Sequence, residues 1–269
     1  MLAGGAIDER LVSRAIIQTY SEELLQLTDF DVAVVGAGPS GLTAAYYLAQ
    51  GGLKTVVFER RLSVGGGMWG GAMMFNYLVF QEEARPIFET MGVRYREYQP
   101  GYYVAHSVEA VAAFTLAACR AGARIMNLIT VEDLVLRDNR VAGLVLNWTA
   151  VDMAGMHIDP LAVHCRYVVD ATGHDAEVVR ILTQKNQVTV KVPGGHVQGE
   201  KSMWSERGEK QTLDHSGEVF PGLYVAGMAA NAVAGGYRMG PIFGGMVLSG
   251  KKVAELILEA HRREKSQTL

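Results

Sequence analysis

Cysteine is scarce in this chain of 269 residues, with only Cys119 and Cys165 present. Two thiols give no disulfide framework, so the expectation is a fold held by its core, in a reducing cytoplasm. Cys119, in a helix of small apolar residues, reads as core, and Cys165, beside Arg166 on a strand, as structural. Long apolar runs are also missing: none approaches the ~20 residues that span a bilayer, so no membrane is expected as a partner. Asp8, Glu9, Arg10 and Arg14 are spaced among apolar residues near the N-terminus, which leaves no signal-peptide core there. Nor is there a basic block. Net charge is −3 with both signs interspersed, and Arg262-Arg263 reads as a favourable helix ending, so no nucleic acid is expected either.

What the chain does have is apolar residues, 49% of the total, enough for a full core. Residues 1–28 read as an N-terminal segment with an amphipathic helix from about Ile7 to Leu27, its stripe made by Leu11, Ala15, Ile16, Tyr20 and Leu24. Such a stripe usually packs on its own domain; docking on a neighbouring subunit is the other reading. Residues 29–269 read as a single α/β domain. Asp31 to Val35 is a short apolar strand, followed by a glycine turn, a helix to Gln50 and a second strand, Lys54 to Glu59. This is a βαβ opening. Gly65 to Gly71 is too glycine-rich for regular structure and reads as a loop close to a ligand or another backbone.

Further on, helices are expected at Gln81 to Met91 and Val108 to Ala121, and strands at Val93 to Tyr98, Arg124 to Asn127, Val131 to Arg137 and Val141 to Thr149. Asp138-Asn139 supplies a hairpin turn. Val163 to Asp170 is a strand, Ala176 to Gln184 a helix, and Pro193 to Thr212 a polar loop without periodicity. A late strand at Gly222 to Gly227 leads through glycines to a last helix from Pro241 to about Arg263, with proline at its first position. The fold class is therefore α/β, a Rossmann-like dinucleotide-binding fold of the type found in flavoproteins with two dinucleotide-binding domains. Its parallel sheet carries an added antiparallel meander.

Gly36-Ala37-Gly38-Pro39-Ser40-Gly41 has the spacing GxGxxG between that first strand and helix, the setting that gives the motif meaning. Gly36, Gly38 and Gly41 permit a tight turn, close approach of a pyrophosphate and close helix packing, with the helix N-terminus facing the phosphates. Glu59, ending the second strand, can accept bonds from both ribose hydroxyls. An ADP-containing dinucleotide is the reading. FAD enzymes of this fold usually carry Asp directly after the late strand's last glycine; here Met228 stands there, which speaks against FAD without excluding it.

A second constellation lies further along. His157-Ile158-Asp159 and Thr172-Gly173-His174 sit at opposite ends of one expected strand. A carboxylate and an imidazole suit a divalent iron, yet a lone Asp and a lone His are more often a turn residue and a satisfied histidine. A fully extended strand holds them tens of ångströms apart, so contact requires chain reversal or assembly. Arg238, among small residues and before the expected helix start at Pro241, could hold a carboxylate in its guanidinium fork or cap nearby carbonyls.

These segments together resemble the thiamine thiazole synthase family over nearly the whole chain. The marks are Val34 to Gly41, Glu59-Arg60, Gly65 to Gly71, His157 to Pro160, Asp170 to Asp175 and Gly235 to Gly244. The first is generic; the last three together are highly specific. The resemblance implies conversion of NAD and glycine into an ADP-linked thiazole carboxylate with release of nicotinamide, in thiamine biosynthesis. It implies that Ser40, Glu59, Arg60, Gly67, Val131 and Met228 contact the NAD-derived ligand, together with His157, Ile158 and Asp159. It further implies that Asp159 and His174 hold Fe(II), with Asp159 supplied across a subunit interface, that Arg238 holds the glycine carboxylate, and that the assembly is a homo-octamer.

Eukaryotic members place a cysteine where this chain has His157 and sacrifice its sulfur in a single turnover. Histidine has no sulfur to give, so the resemblance is to the prokaryotic branch, which takes free sulfide and turns over repeatedly. His157 is then the candidate proton shuttle. The competing expectations are an FAD-dependent oxidoreductase of the same fold and a non-catalytic NAD or ADP-ribose-binding protein.

Overall fold

The computed structural model describes residues 7–267; residues 1–6 of the expected N-terminal segment lie outside the described residues. Asp8 starts the first helix, α1 (Glu9–Gln26), by accepting the Arg10 N–H at 2.9 Å. The βαβ opening follows as β1 (Asp29–Val35), α2 (Pro39–Gln50) and β2 (Thr55–Glu59). Next come β3 (Tyr77–Gln81), α3 (Arg85–Met91), β4 (Tyr95–Gln99), β5 (Tyr102–His106) and α4 (Ser107–Ala121). The middle of the chain forms β6 (Arg124–Asn127), β7 (Ile129–Arg137), β8 (Arg140–Trp148), α5 (Thr149–Met153) and β9 (Leu161–Asp170). The last part holds α6 (Glu177–Asn186), α7 (Ser205–His215), β10 (Gly217–Phe220), β11 (Leu223–Val225), α8 (Met228–Ala234) and α9 (Gly244–Gln267).

The main sheet runs β10-β11-β9-β1-β2-β6. It is parallel from β11 to β6, with β10 antiparallel at one edge. The β7–β8 hairpin pairs antiparallel onto β9, giving the expected parallel sheet with an added meander. Asp138 and Asn139 turn that hairpin at φ 48° and 58°, the left-handed pair a tight hairpin requires. Val35 aligns with Phe58 and with Asp170, and Asp170 with Val225, so four parallel strands end level. A ligand crevice opens at that edge in sheets of this kind.

Strand β1 shows why the sheet reads as an apolar run. Val32 and Val34 pack on one face with Leu42, Phe114 and Val253, while Ala33 and Val35 pack on the other with Leu144, Leu146 and Leu182. Both faces are covered, so alternation disappears. Helices α2 and α9 cross close by. A Cβ on Gly250 would lie 2.2 Å from the Ser40 carbonyl oxygen, so only glycine lets the two backbones approach.

Several expectations need correction. The stripe of α1 does not pack on its own domain: the helix buries no residue, and Leu11, Ile16, Ile17 and Leu25 are exposed. Cys119 is exposed rather than core, whereas Cys165 is buried, and burial pushes its thiol up to about 12. The segment from 93 to 98 belongs to a separate antiparallel sheet, β3-β5-β4, of which only β4 was expected. The 193–212 stretch is not all loop, since α7 begins at Ser205. Its buried residues are Gly208 and Thr212, too small and polar to leave an apolar period. Pro241 does not open the last helix, which starts at Gly244. No helix among the described residues is long and apolar enough to cross a membrane.

Candidate functional site

One cleft of about 1320 Å³ opens at the level strand ends. It is lined by Gly36, Gly38, Ser40, Glu59, Arg60, Gly67, Val131, His174, Met228 and Arg238, so ten of the sequence-expected residues meet there. Gly41, His157, Ile158 and Asp159 do not line it.

The turn after β1 shows what each glycine is for. A Cβ on Gly36, where φ is +97°, would sit 2.5 Å from the Ala171 carbonyl oxygen, and one on Gly41 would sit 2.0 Å from the Gly36 oxygen. Those positions close the turn against β9 and against itself. A Cβ on Gly38 would meet nothing within 4 Å, because that face looks into the cleft. The loop after β2 folds back on the turn through Gly65 N–H to Ala37 O at 2.7 Å. There it forms a short 3-10 turn, Gly66–Gly70, with Met68 buried. A dinucleotide laid on the α2 N-terminus would thus lie between two glycine-rich backbones.

Glu59 is buried at 7% exposure, and its carboxylate accepts the Ala37 N–H and the Arg61 N–H, each at 2.9 Å. These bonds fix it at the cleft wall, with further lone pairs left for hydroxyls. Arg60 turns to the other side. Its guanidinium pairs with Glu177 and lies 3.5 Å from Asp175, while Thr149 Oγ1 donates to its carbonyl at 2.8 Å. Burial raises the Glu177 carboxyl above its ordinary value, with Arg60 opposing the shift. Beneath lies Asp170, fully buried. It accepts from Thr172 N–H, Thr172 Oγ1 and Val179 N–H, and burial outweighs these bonds to raise its carboxyl.

His174 sits in the 3-10 turn Gly173–Asp175 that follows β9. Its Nδ1 lies 2.5 Å from Glu200 Oε2. Asp159 precedes β9 and is exposed. The ten-residue strand between them puts its ends roughly 30 Å apart at ~3.3 Å per residue. Within one chain, then, the fold does not bring Asp159 to His174. Among the described residues no three His, Cys, Asp or Glu side chains gather as a metal-holding group.

Arg238 lies on an extended segment, and α9 begins six residues later at Gly244. Arg238 N–H donates to Lys201 O at 3.2 Å and Arg238 O accepts the Trp204 N–H at 3.0 Å. Among the described residues its guanidinium has no carboxylate partner. Behind it stands Asn231, fully buried in α8. Its Nδ2 donates to Gly208 O at 3.1 Å, Thr212 Oγ1 at 2.7 Å and Tyr237 O at 3.1 Å, and His215 Nδ1 lies 3.0 Å from its Oδ1.

A family model described as the Thi4 family matches residues 13–243. The chain belongs to the Thi4 family. It is 54% identical to the thiamine thiazole synthase of Methanothermobacter thermautotrophicus over 253 residues, 94% of this chain and 98% of that one. It is also 54% identical to the thiamine thiazole synthase of Pyrococcus abyssi, covering 93% and 97% of the two chains. The crystal structure of Thermovibrio ammonificans THI4 superposes with a TM-score of 0.94 at 51% identity, covering 95% of this chain and 99% of that one. A geranylgeranyl bacteriochlorophyll reductase-like protein of Thermoplasma acidophilum, at 16% identity and a TM-score of 0.53 over 88% and 79% of the two chains, shares the fold alone.

Among the residues in or behind this Thi4-family site that escaped the sequence reading are Glu200, Lys201 and Asn231. All lie in or beside stretches without periodicity. For Glu200 and Asn231 the available signal was a polar side chain too costly to bury unless it holds something in place; Lys201 is exposed and carried no such signal.

Proposed function

We propose that this chain is a thiamine thiazole synthase. It builds an ADP-linked thiazole carboxylate from NAD, glycine and free sulfide, releases nicotinamide and turns over repeatedly with Fe(II). The observation that carries the reading is the meeting, in one cleft, of the glycine turn, Glu59, Met228, His174 and Arg238. The high identity to thiamine thiazole synthases over nearly full length supports it.

In this reading the α2 N-terminus and the two glycine backbones hold the pyrophosphate, and Glu59 takes the adenosine ribose hydroxyls. Met228, 7% exposed at the start of α8, walls the site where related flavoproteins place an acid, which supports a consumed dinucleotide over a resident flavin. Arg238 presents its fork to the glycine carboxylate. Glycine's amine then condenses with the sugar carbonyl freed by loss of nicotinamide. His174 would hold the iron from the cleft wall, and Asp159 of a neighbouring copy would be the second donor. Fe(II), when bound, supplies a Lewis acid and a template for sulfide.

The exposed apolar stripe of α1 and the exposed Met153, Met156 and Ile158 around Asp159 support an assembly with shared sites, with a homo-octamer the family's expected form. His157 occupies the place of the eukaryotic sulfur donor and is assigned proton transfer. A His157→Ala variant that turned over sulfide at the normal rate would remove that assignment.

The test is an anaerobic incubation with NAD, glycine, sulfide and Fe(II), followed by mass spectrometry. An ADP-thiazole adduct is expected, in excess of one per chain. No thiazole under those conditions, or a bound flavin absorbing near ~450 nm, would overturn the reading.

A further inference from the structure

The pairing of His174 with Glu200 has a feature that the family resemblance does not account for. Glu200 comes from the aperiodic stretch after α6, far from His174 in sequence, and its side chain is only 14% exposed against 52% for His174. Its backbone is tied down on both sides: Gly199 N–H donates to Ala232 O at 2.8 Å and Lys201 N–H to Gly236 O at 2.9 Å. One carboxylate oxygen lies 2.5 Å from His174 Nδ1. The other, Oε1, is buried without a hydrogen-bond partner among the described residues. Burying a carboxylate this incompletely costs stability, so its retention calls for a role other than holding the fold.

We infer that Glu200 is a positioning residue for His174: by accepting the Nδ1 hydrogen it fixes the ring's tautomer and orientation, leaving Nε2 bare as the donor toward the cleft. An imidazole has two nitrogens, and in the neutral ring one carries hydrogen while the other offers a lone pair. Free imidazole in peptides favours the hydrogen on Nε2, the wrong arrangement for a ligand pointing that nitrogen at a metal. A carboxylate on Nδ1 reverses the preference, and such partners typically hold metal affinity 10- to 100-fold above that of a bare histidine. His174 itself sits on a three-residue 3-10 turn, too short to fix a ring that is half exposed, so the orientation comes from Glu200.

That the bare nitrogen serves iron rests on the proposed function; that Glu200 sets the tautomer does not. The experiment separates the two. Full-length protein labelled with 15N-histidine is examined by NMR at about pH 9, well above the ~6.5 of free imidazole, with His174→Ala assigning the signal. Anaerobic Fe(II) titration, with and without NAD and glycine, is run alongside on the same proteins. In the parent, His174 is expected with its hydrogen on Nδ1. In Glu200→Ala it is expected to shift toward the Nε2–H form while the other histidine signals stay in place, and Fe(II) affinity is expected to fall 10- to 100-fold. Should Glu200→Ala fail to fold, Glu200→Gln, which keeps a neutral acceptor, carries the comparison with a loss toward the smaller end. An unchanged His174 tautomer in the variant overturns the inference. A tautomer shift in a protein that binds no Fe(II) in any state upholds it and sinks the iron reading instead.

Discussion

At the α2 end of the cleft a ligand would meet mostly backbone, whereas at the α8 end it would meet side chains. Gly36, Gly38, Gly41 and the loop after β2 offer N–H groups and space, and nothing there has to choose a rotamer. Glu200, Lys201 and Arg238 hang from aperiodic segments, which bonds from Asn231 in α8 and between Glu200 and His174 hold in place. Specificity in the first region is steric and set by chain geometry; in the second it depends on groups held by other groups. The first region should therefore fail through the fold when altered, and the second through chemistry with the fold intact.

Gly41→Ala should give the largest effect. Its Cβ would lie 2.0 Å from the Gly36 oxygen, and backbone cannot yield as a side-chain end can. A loss of about 3 kcal/mol and of measurable NAD binding is expected, checked by urea unfolding and calorimetry. Near-parent stability would mean that the turn is soft, and the comparison would break.

Arg238→Met should act in the opposite way. The guanidinium is exposed and unpaired among the described residues, so stability should change by less than ~0.5 kcal/mol. Loss of charge-assisted bonds to a carboxylate should raise the KM for glycine roughly 30- to 150-fold, for about 2–3 kcal/mol. An unchanged KM would take the glycine carboxylate away from Arg238.

Glu209 sharpens the contrast by pH. It accepts the Gly245 N–H at the start of α9, and burial pushes its carboxyl from 4.5 up to about 7. A carboxyl raised in the folded state contributes stability that is complete below its unfolded value and is lost as pH rises through about 7. On the order of 2 kcal/mol should disappear between about pH 5 and pH 8. Glu209→Gln should flatten that slope in urea midpoints; equal slopes in the two proteins would refute the assignment.

Gly38→Ala is the mildest change. Its φ of −77° suits alanine and its Cβ meets nothing, so stability should stay within ~0.5 kcal/mol. NAD affinity should nonetheless drop about tenfold, near 1.4 kcal/mol, because the methyl would stand in the cleft. Unchanged affinity would place the phosphates elsewhere.

How much of this was legible follows the same division. The βαβ opening, the Asp138-Asn139 hairpin and the late strand were read correctly because their signals are local: apolar runs, left-handed turn residues and glycine at fixed offsets. The segments β3, β5, α7 and α8 were not. Their burial comes from partners distant in sequence, such as Gly208 against the 237–239 backbone and Phe80 stacked 5.6 Å from Tyr103.

The sequence by itself determined the dinucleotide turn and the parallel sheet, since each depends on spacing along the chain; cleft residues such as Arg60, Gly67 and Val131 were legible only through the family resemblance. Only the tertiary structure decided that α1 stands uncovered and that Glu200 is the partner of His174. Those are contacts and separations between segments that no local pattern encodes, because side chains meet through the packing of elements and not through their order.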